Sequence, residues 1–543
     1  MRRWVKPFFT GWILLVVACE MLLASPGGSS HALRLVTPAH PAAPIRFAAQ
    51  ELTRYLAAMG NSKPEVAEQT ADGDLYLGCL PKGLSPRERK EIEASLRGKD
   101  SDSFMIRSVG QQLIIYGNTP RATLYGGYHY LETLGVRWYF PGRANEVIPH
   151  ASPRLEGYSI TEVPSFRKRG FVVFPTTNDL DDMVDFAAKK KLNTIGLHTW
   201  FDPKFSNLRL PDVARMAAPR GLDVQIERHF FGENFCPDDT RGLEQARKDL
   251  LEFVAMMPPS MNEFFLWPAD RFLAPCSSPQ YRDYSASDLI LWFDNQMLKT
   301  LRQSRPNARF AFLAYLSTWA PPQHEKPLPG LTLEWAPIFQ SLAFSLDDPA
   351  SSANAEYRKD FEALLKMFGP ANSQVLGYWL DDTMALGNGF GKLGYHPDAL
   401  RGDLAYYHRM GVPAVTTFGV ITGHDYFLSH VSPAVFLYPT LLWNVQADPA
   451  AIVRDFCVNY MGSEQAAEVF ELLAQADRMV YIEHAQIRGD KANDPEFMEK
   501  VSQALRLAQA LLDAEKDPIK RPRVAKLIQE VASRIVAPRS QVP

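Results

Sequence analysis

Residues 168–270 contain, in order, KRGFVVF (168–174), NTIGLHTW (193–200), DVQIERHFF (223–231) and EFFLWPAD (263–270), with LDDMVDFAAKKK (180–191) and LEQARKDLLEFVAMM (243–257) among the segments between them. The four short runs are rich in β-branched and aromatic residues, and the intervening stretches space their apolar residues as helices do. Strands separated by helices cannot be hairpins, so the alternation predicts parallel β/α units. The same alternation continues through ARFAFLAYLST (308–318), LTLEWAPIF (331–339), QVLGYWLDD (374–382) and PAVTTFGVITGHD (413–425), with further helices over 286–303 and 355–369. Eight strands in roughly 260 residues have the size and repeat of a TIM-like (β/α)8 barrel, which we place over residues 165–426. One connection departs from the repeat: APPQHEKPLPG (320–330) is short and proline-rich and is predicted to lack a regular helix.

On the N-terminal side, residues 33–160 read as a small α/β domain. PIRFAAQELTRYLAAMG (44–60) is an amphipathic helix, and SFMIRSV and QQLIIYG form a hairpin about Gly110. A second helix starts at Asn118 or Thr119 as N-cap, with Pro120 in its first turn. A proline-rich, irregular stretch to about Pro164 is read as a linker. Residues 427–543 are expected to be helical throughout. Residues 1–32 have the order of a signal peptide: Arg2, Arg3 and Lys6, then an apolar run, then the small-residue segment SPGGSSHA. Cleavage just before Leu33 fits Ser30 and Ala32. Cys19 offers a lipoprotein alternative, and only then a membrane tether, but the apolar MLLA after it is unlike a polar tether. An exported protein follows, whether periplasmic, cell-surface or extracellular.

At 46% hydrophobic and 22% charged, the chain has the composition of a well-cored globular protein. A net charge of -3 supplies no basic field, which excludes nucleic acid as a partner. The five cysteines are scattered without a Cys-x-x-Cys pair. Cys236 and Cys276 could meet in space, but buried free thiols are the expectation.

A barrel of this kind carries its site at the C-terminal ends of its strands, so strand-end polar residues matter most. Alternation groups Thr194, Gly196, His198 and Trp200 on one face, and Gln225, Glu227 and His229 on another. It likewise groups Thr332, Glu334 and Ala336, then Gly377, Trp379 and Asp381, while the fourth strand ends in Trp267, Pro268 and Asp270. Five carboxylates, Glu227, Asp270, Glu334, Asp381 and Asp382, are thereby directed to one rim, where Trp200, Trp267, Trp379 and Tyr315 also stand. Glycosidic cleavage needs two carboxyl groups flanking the scissile bond, and aromatic faces suit the apolar faces of sugars. We therefore take Asp270, Asp381, Asp382 and Glu334 as candidate catalytic groups, and Trp200, His198, Glu227, His229, Trp267, Tyr315 and Trp379 as candidate substrate contacts. Each has a plainer reading: Glu227 as a partner of an arginine, Glu334 as part of a buried polar network, each Trp as core. No HExxH or similar spacing points to a metal, and no cofactor is expected.

Several segments carry a resemblance to a known family. AAQELTRYL (48–56), IIYGNTPRATLYGGYHYLETLGVRWYFPG (114–142), the P-S-F-x-x-R entry beginning at Pro164, and LWPADRFLAPCSSPQYRDYSASDLILWFDNQMLKTL (266–301) resemble the bacterial family called domain of unknown function 4838. So do AYLSTWAPP (314–322), LTLEWAPIF and LLWNVQADPAAIVRDFCVNYMG (441–462). Part of that family is assigned to glycoside hydrolase family 163, endo-β-N-acetylglucosaminidases, and the first domain looks like the one preceding the barrel in β-hexosaminidases and α-glucuronidases. The fourth strand of the family commonly ends in Asn-Asp followed by close cysteines. Here it ends in Ala269-Asp270, and Cys276 remains of the cysteines. The resemblance implies a glycoside hydrolase acting at β-linked N-acetylglucosamine, with the substrate's acetamido group as nucleophile. A non-catalytic glycan-binding barrel and an α-glucuronidase-like exo-glycosidase are the alternatives.

Overall fold

The computed structural model describes residues 32–68, 72–173, 180–198, 210–381, 394–419, 431–480 and 494–535. The expected signal segment with Cys19, and the candidate residues Trp200 and Asp382, lie outside these residues. Among the described residues no helix is long and apolar enough to cross a membrane.

The first domain is a six-stranded sheet built from β1 (Arg34–Thr37), β2 (Glu65–Glu68), β3 (Leu75–Leu77), β4 (Phe104–Val109), β5 (Gln112–Gly117) and, after a two-stranded ribbon of β6 (Arg137–Trp138) and β7 (Glu146–Val147), β8 (Ser159–Glu162). The order is β2-β1-β3-β5-β4-β8, and only β4 runs against its neighbours. Gly110, at φ 57°, makes the β4–β5 turn that its sequence position predicts. Thr119 caps helix Pro120–Thr133 by accepting from the Ala122 amide. The stretch read as a linker contains β8, whose pairing with β4 extends this sheet. Its Ser159-Ile-Thr-Glu162 alternates as an edge strand does, but the flanking prolines masked that signal.

The barrel closes as β9 (Lys168–Val173), β10 (Thr194–His198), β11 (Asp223–His229), β12 (Glu263–Trp267), β13 (Arg309–Ala314), β14 (Leu331–Trp335), β15 (Ser373–Gly377) and β16 (Ala414–Phe418), each parallel to its neighbours, with β16 returning to β9. All eight begin within a residue of the runs expected from sequence, whereas most end earlier, because the runs continue into the loops at the C-terminal ends of the strands. Alternation divides each strand between the barrel interior and the surrounding helices. Val172, Phe265, Trp267, Leu313, Leu376 and Phe418 fill the barrel interior. Phe171, Ile195, Ile226, Phe264, Leu333 and Val375 face the surrounding helices.

No α-helix intervenes between β13 and β14, as the prolines of 320–330 predict. Helix Ala286–Ser304 holds this connection through its side chains. Asp288 accepts from the amides of Gln323 and His324, and Asn295 bonds Leu328 N and Lys326 O. Helix Ala434–Trp443 packs on the barrel wall, with the Tyr438 hydroxyl donating to Gly170 O at 2.9 Å. Helices Pro449–Phe456, Ala466–Val480, Pro495–Ala514 and Lys520–Ala532 follow it. Tyr139 and Phe140 of the first domain pack edge-on against Phe436 and Phe456, so the N- and C-terminal regions share one aromatic cluster.

Candidate active site

At the C-terminal ends of β12 and β13, Asp270 and Tyr315 face one another, and the Tyr315 hydroxyl donates to Asp270 Oδ1 at 2.9 Å. Asp381 follows β15 by a turn in which its amide donates to Tyr378 O at 3.2 Å. Burial and the negative charges of Asp270 and Asp381 raise the phenols of both Tyr315 and Tyr378. Tyr315 and Tyr378 pack in one cluster at this mouth, with Asp270 bonded to the first and Asp381 turned onto the second. His229 lies beside them, its ring 6.3 Å from that of Tyr315, and its Nδ1 bonds Pro268 O at 2.6 Å. A carbonyl can only accept, so Nδ1 carries the hydrogen. Burial pushes the His229 imidazole below its ordinary range and His198 down to about 3, leaving both rings neutral near pH 7.

Deeper in the barrel are Glu227 and Glu334, both fully enclosed. Glu334 accepts from Trp267 Nε1 at 2.7 Å and from Gln374 Nε2 at 3.0 Å. Glu227 accepts from Gln225 Nε2. Gly196 makes room for the Glu227 carboxyl: a Cβ there would stand 2.9 Å from Val172 Cγ2 and 3.2 Å from Glu227 Oε1. Burial raises both carboxyls, and the presence of Glu334 raises Glu227 further. Trp267 is 2% exposed, with its ring stacked on His198 at 5.5 Å.

Of the residues read from sequence, Asp270, Asp381, Tyr315, His229, His198 and Trp267 thus gather at or just beneath the mouth, and Glu227 and Glu334 lie below them. Trp379 does not join them. It is Leu376 and Tyr378 that face inward, and the chain turns immediately after Gly377. Trp379 folds outward, where Nε1 donates to buried Asp403 at 2.9 Å and the ring meets Tyr438. Gly377 permits this, since a Cβ there would lie 2.1 Å from Trp379 Cζ3. Gly377→Ala should accordingly lower stability by about 1–3 kcal/mol in denaturant unfolding; an unchanged midpoint would show that Trp379 can swing away freely. Tyr378 is the residue that sequence reading missed. Starting the inward set from Gln374, in register with Glu334, gives Gln374, Leu376 and Tyr378.

The cysteine expectation is also corrected: Cys236 and Cys276 form a disulfide, with Cα atoms 5.0 Å apart. It ties the segment after β11 to the one after β12, which holds Asp270. Arg271 pairs with Glu233 at 2.7 Å, and Leu273 N donates to Ser317 Oγ at 3.0 Å, so this segment is fixed from several sides. A separation of 40 residues lies between the two cysteines, too far for spacing to reveal the pair. Replacing both by serine should cost roughly 2–4 kcal/mol of unfolding free energy. Equal stability of the reduced and oxidised protein would contradict that.

A cavity of about 660 Å³ opens at the opposite end of the barrel, lined by Lys168, Thr194, Gln225, Glu263, Arg309 and Gln374 among others. These are N-terminal strand ends, the face that serves stability rather than chemistry in such barrels. Among the described residues no group of three His, Cys, Asp or Glu is arranged to hold a metal ion.

Residues 27–130 match the family described as glycosyl hydrolase family 67 N-terminus, and residues 276–473 match domain of unknown function 4838. No curated protein matches the sequence. Among solved structures, the chain is similar to BtGH115A, a family GH115 4-O-methyl-α-glucuronidase with specificity for decorated arabinogalactans. The TM-score is 0.58 at 12% identity, covering 93% of this chain and 71% of that one. It is also similar to a GH138 enzyme targeting pectin rhamnogalacturonan II, with a TM-score of 0.52 at 10% identity over 92% and 85% of the two chains. A third is CpGH89 from Clostridium perfringens, in complex with GlcNAc-alpha-1,4-galactose, with a TM-score of 0.50 at 11% identity over 80% and 57%. The chain has the fold of these carbohydrate-active barrels.

Proposed function

We propose that this chain is an exported glycoside hydrolase, and that Asp270 and Asp381 are its acid–base pair. The observation that carries this reading is the gathering of both carboxylates around Tyr315 and Tyr378 at the barrel mouth, beside a neutral His229. Two carboxyl groups at one mouth are the minimum that glycosidic hydrolysis requires. The match at 27–130 and the shared fold support the same class. The Cys236–Cys276 disulfide supports export, since such bonds persist in oxidising compartments.

The substrate proposed is a glycan with β-linked N-acetylglucosamine, in keeping with the resemblance in the barrel segments. The acetamido oxygen would attack the anomeric carbon. One carboxylate would hold the amide N–H while the other protonates the departing oxygen, and water would then open the cyclic intermediate. A second reading, an α-glucuronidase-like exo-glycosidase, is favoured by the family 67 N-terminal match and by the likeness to BtGH115A. A panel of aryl β-N-acetylglucosaminides, aryl α-glucuronides and N-glycans separates the two. Turnover of the first or third class supports the leading reading, and turnover of the second alone supports the other. Binding without turnover anywhere on the panel would mark a non-catalytic glycan-binding barrel.

A further inference from the structure

We propose that Glu334 is a positioning residue, whose enclosed carboxylate holds the Trp267 indole and through it aims the Pro268–Asp270 segment. This rests on the reading of the barrel mouth as a hydrolytic site, and it moves Glu334 from the reacting groups to the frame beneath them.

Both Glu334 oxygens receive donors that cannot accept: the indole N–H of Trp267 at 2.7 Å and the amide N–H of Gln374 at 3.0 Å. That donor set fits an ionised carboxylate. Glu227, the other carboxyl inside the barrel, accepts from Gln225 through Oε1, while its Oε2 has no hydrogen-bond partner among the described residues. Burial raises Glu334 to about 8 and Glu227 further still, so Glu334 is the first of the two to ionise and Glu227 keeps its proton. Lys168, on β9, is the cation whose field reaches both, and His198 and His229 above them are neutral.

Trp267 is consequently held at both ends. Its indole is fixed by Glu334, with His198 stacked on it and His229 edge-on at 5.2 Å. Its carbonyl accepts from the amides of Phe230 at 2.9 Å and Phe231 at 3.0 Å. The next carbonyl, that of Pro268, is held by His229 Nδ1, and the Ala269 amide donates to Gly232 O at 3.2 Å. Asp270 comes directly after this clamped run, so its carboxylate goes where Trp267 and Pro268 go. At 2% exposure, Trp267 offers no open ring face for a sugar, which leaves the frame as its role.

The test uses the full chain with Glu334→Gln, which keeps the side-chain volume but turns an amide N–H toward one of the two donors, and Trp267→Phe, which removes the indole donor. Crystal structures of both variants give a readout independent of any substrate. Loss of the Tyr315–Asp270 hydrogen bond, with displacement of Pro268–Asp270, supports the proposal; an unmoved segment in both variants overturns it. On a glycoside that the wild type cleaves, each variant should lose roughly 10- to 100-fold in kcat, the rate equivalent of one charge-assisted hydrogen bond, with KM nearly unchanged. The double variant should be no worse than the single ones. Wild-type kcat in Glu334→Gln, or additive losses in the double variant, would overturn the coupling. If the wild type cleaves nothing, the hydrolase reading fails, while the crystallographic comparison still decides whether Glu334 aims Asp270.

Discussion

Asp270→Asn is expected to lower kcat/KM on a cleaved glycoside by roughly 100- to 10,000-fold, the range supplied by one acid–base group. The substitution keeps an oxygen that can accept from Tyr315, so the hydrogen bond at 2.9 Å and the segment around it should survive. What disappears is the ability to give up or hold a proton. If Asp270 protonates the leaving oxygen, the loss should be large for a sugar leaving group and small for a nitrophenolate, which departs without a proton. If instead Asp270 holds the acetamide and Asp381 is the acid, Asp270→Asn should be equally slow on both substrates, and Asp381→Asn should show the leaving-group dependence. Tyr315→Phe removes the donor without removing the carboxylate, and a milder loss of about tenfold is expected. Full activity in both aspartate variants would remove the pair from the mechanism.

Asp102→Ala should destabilise the fold by about 3–5 kcal/mol, the cost of leaving buried cations without their counter-charge. Asp102 is fully buried where the first domain meets the barrel. Its Oδ2 accepts from Arg169 Nη2 at 2.7 Å and Asn193 Nδ2 at 2.8 Å, and its Oδ1 from Arg121 Nε at 2.9 Å. Arg169 is on β9 and enclosed, while Arg121 also reaches Asp223 at the start of β11 at 3.0 Å. One carboxylate thus joins two domains through three side chains. Burial by itself would push Asp102 up, but the two guanidinium groups and Asn193 outweigh that and hold it below the ordinary carboxyl range. With the folded value depressed, this stability is complete above the unfolded value of ~4 and is lost as pH falls through the lower folded value. Denaturant midpoints of wild type and Asp102→Ala, followed from neutral pH into acid, should therefore converge at the acid end. A gap that stays constant down to the lowest pH would show that lost packing, not charge, causes the destabilisation.

Much of the site was legible at the level of strands. Asp270, Tyr315 and His229 were found because strand-end position in a parallel barrel is itself a functional signal. Reading Trp379 as a rim residue went astray because inward and outward are set by a phase of one residue, and QVLGYW fits either phase when taken alone. Only the register with β14 fixes Gln374 inward opposite Glu334, and that places Tyr378 at the mouth and Trp379 against Asp403. The disulfide was hidden for a related reason: its two cysteines lie in loops after different strands, brought together by barrel closure.

By itself, then, the sequence determined the (β/α) repeat, the strand starts and the helixless connection after β13, because periodicity, caps and prolines act within a few residues of chain. Tertiary structure alone decided which acids meet. Asp270 and Asp381 gather around Tyr315 and Tyr378, while Glu334 is drawn under Trp267. The reason is that side chains from β12, β14 and β15 share one interior only once the sheet closes, and enclosure there sets which carboxyl can hold charge and which must hold a proton.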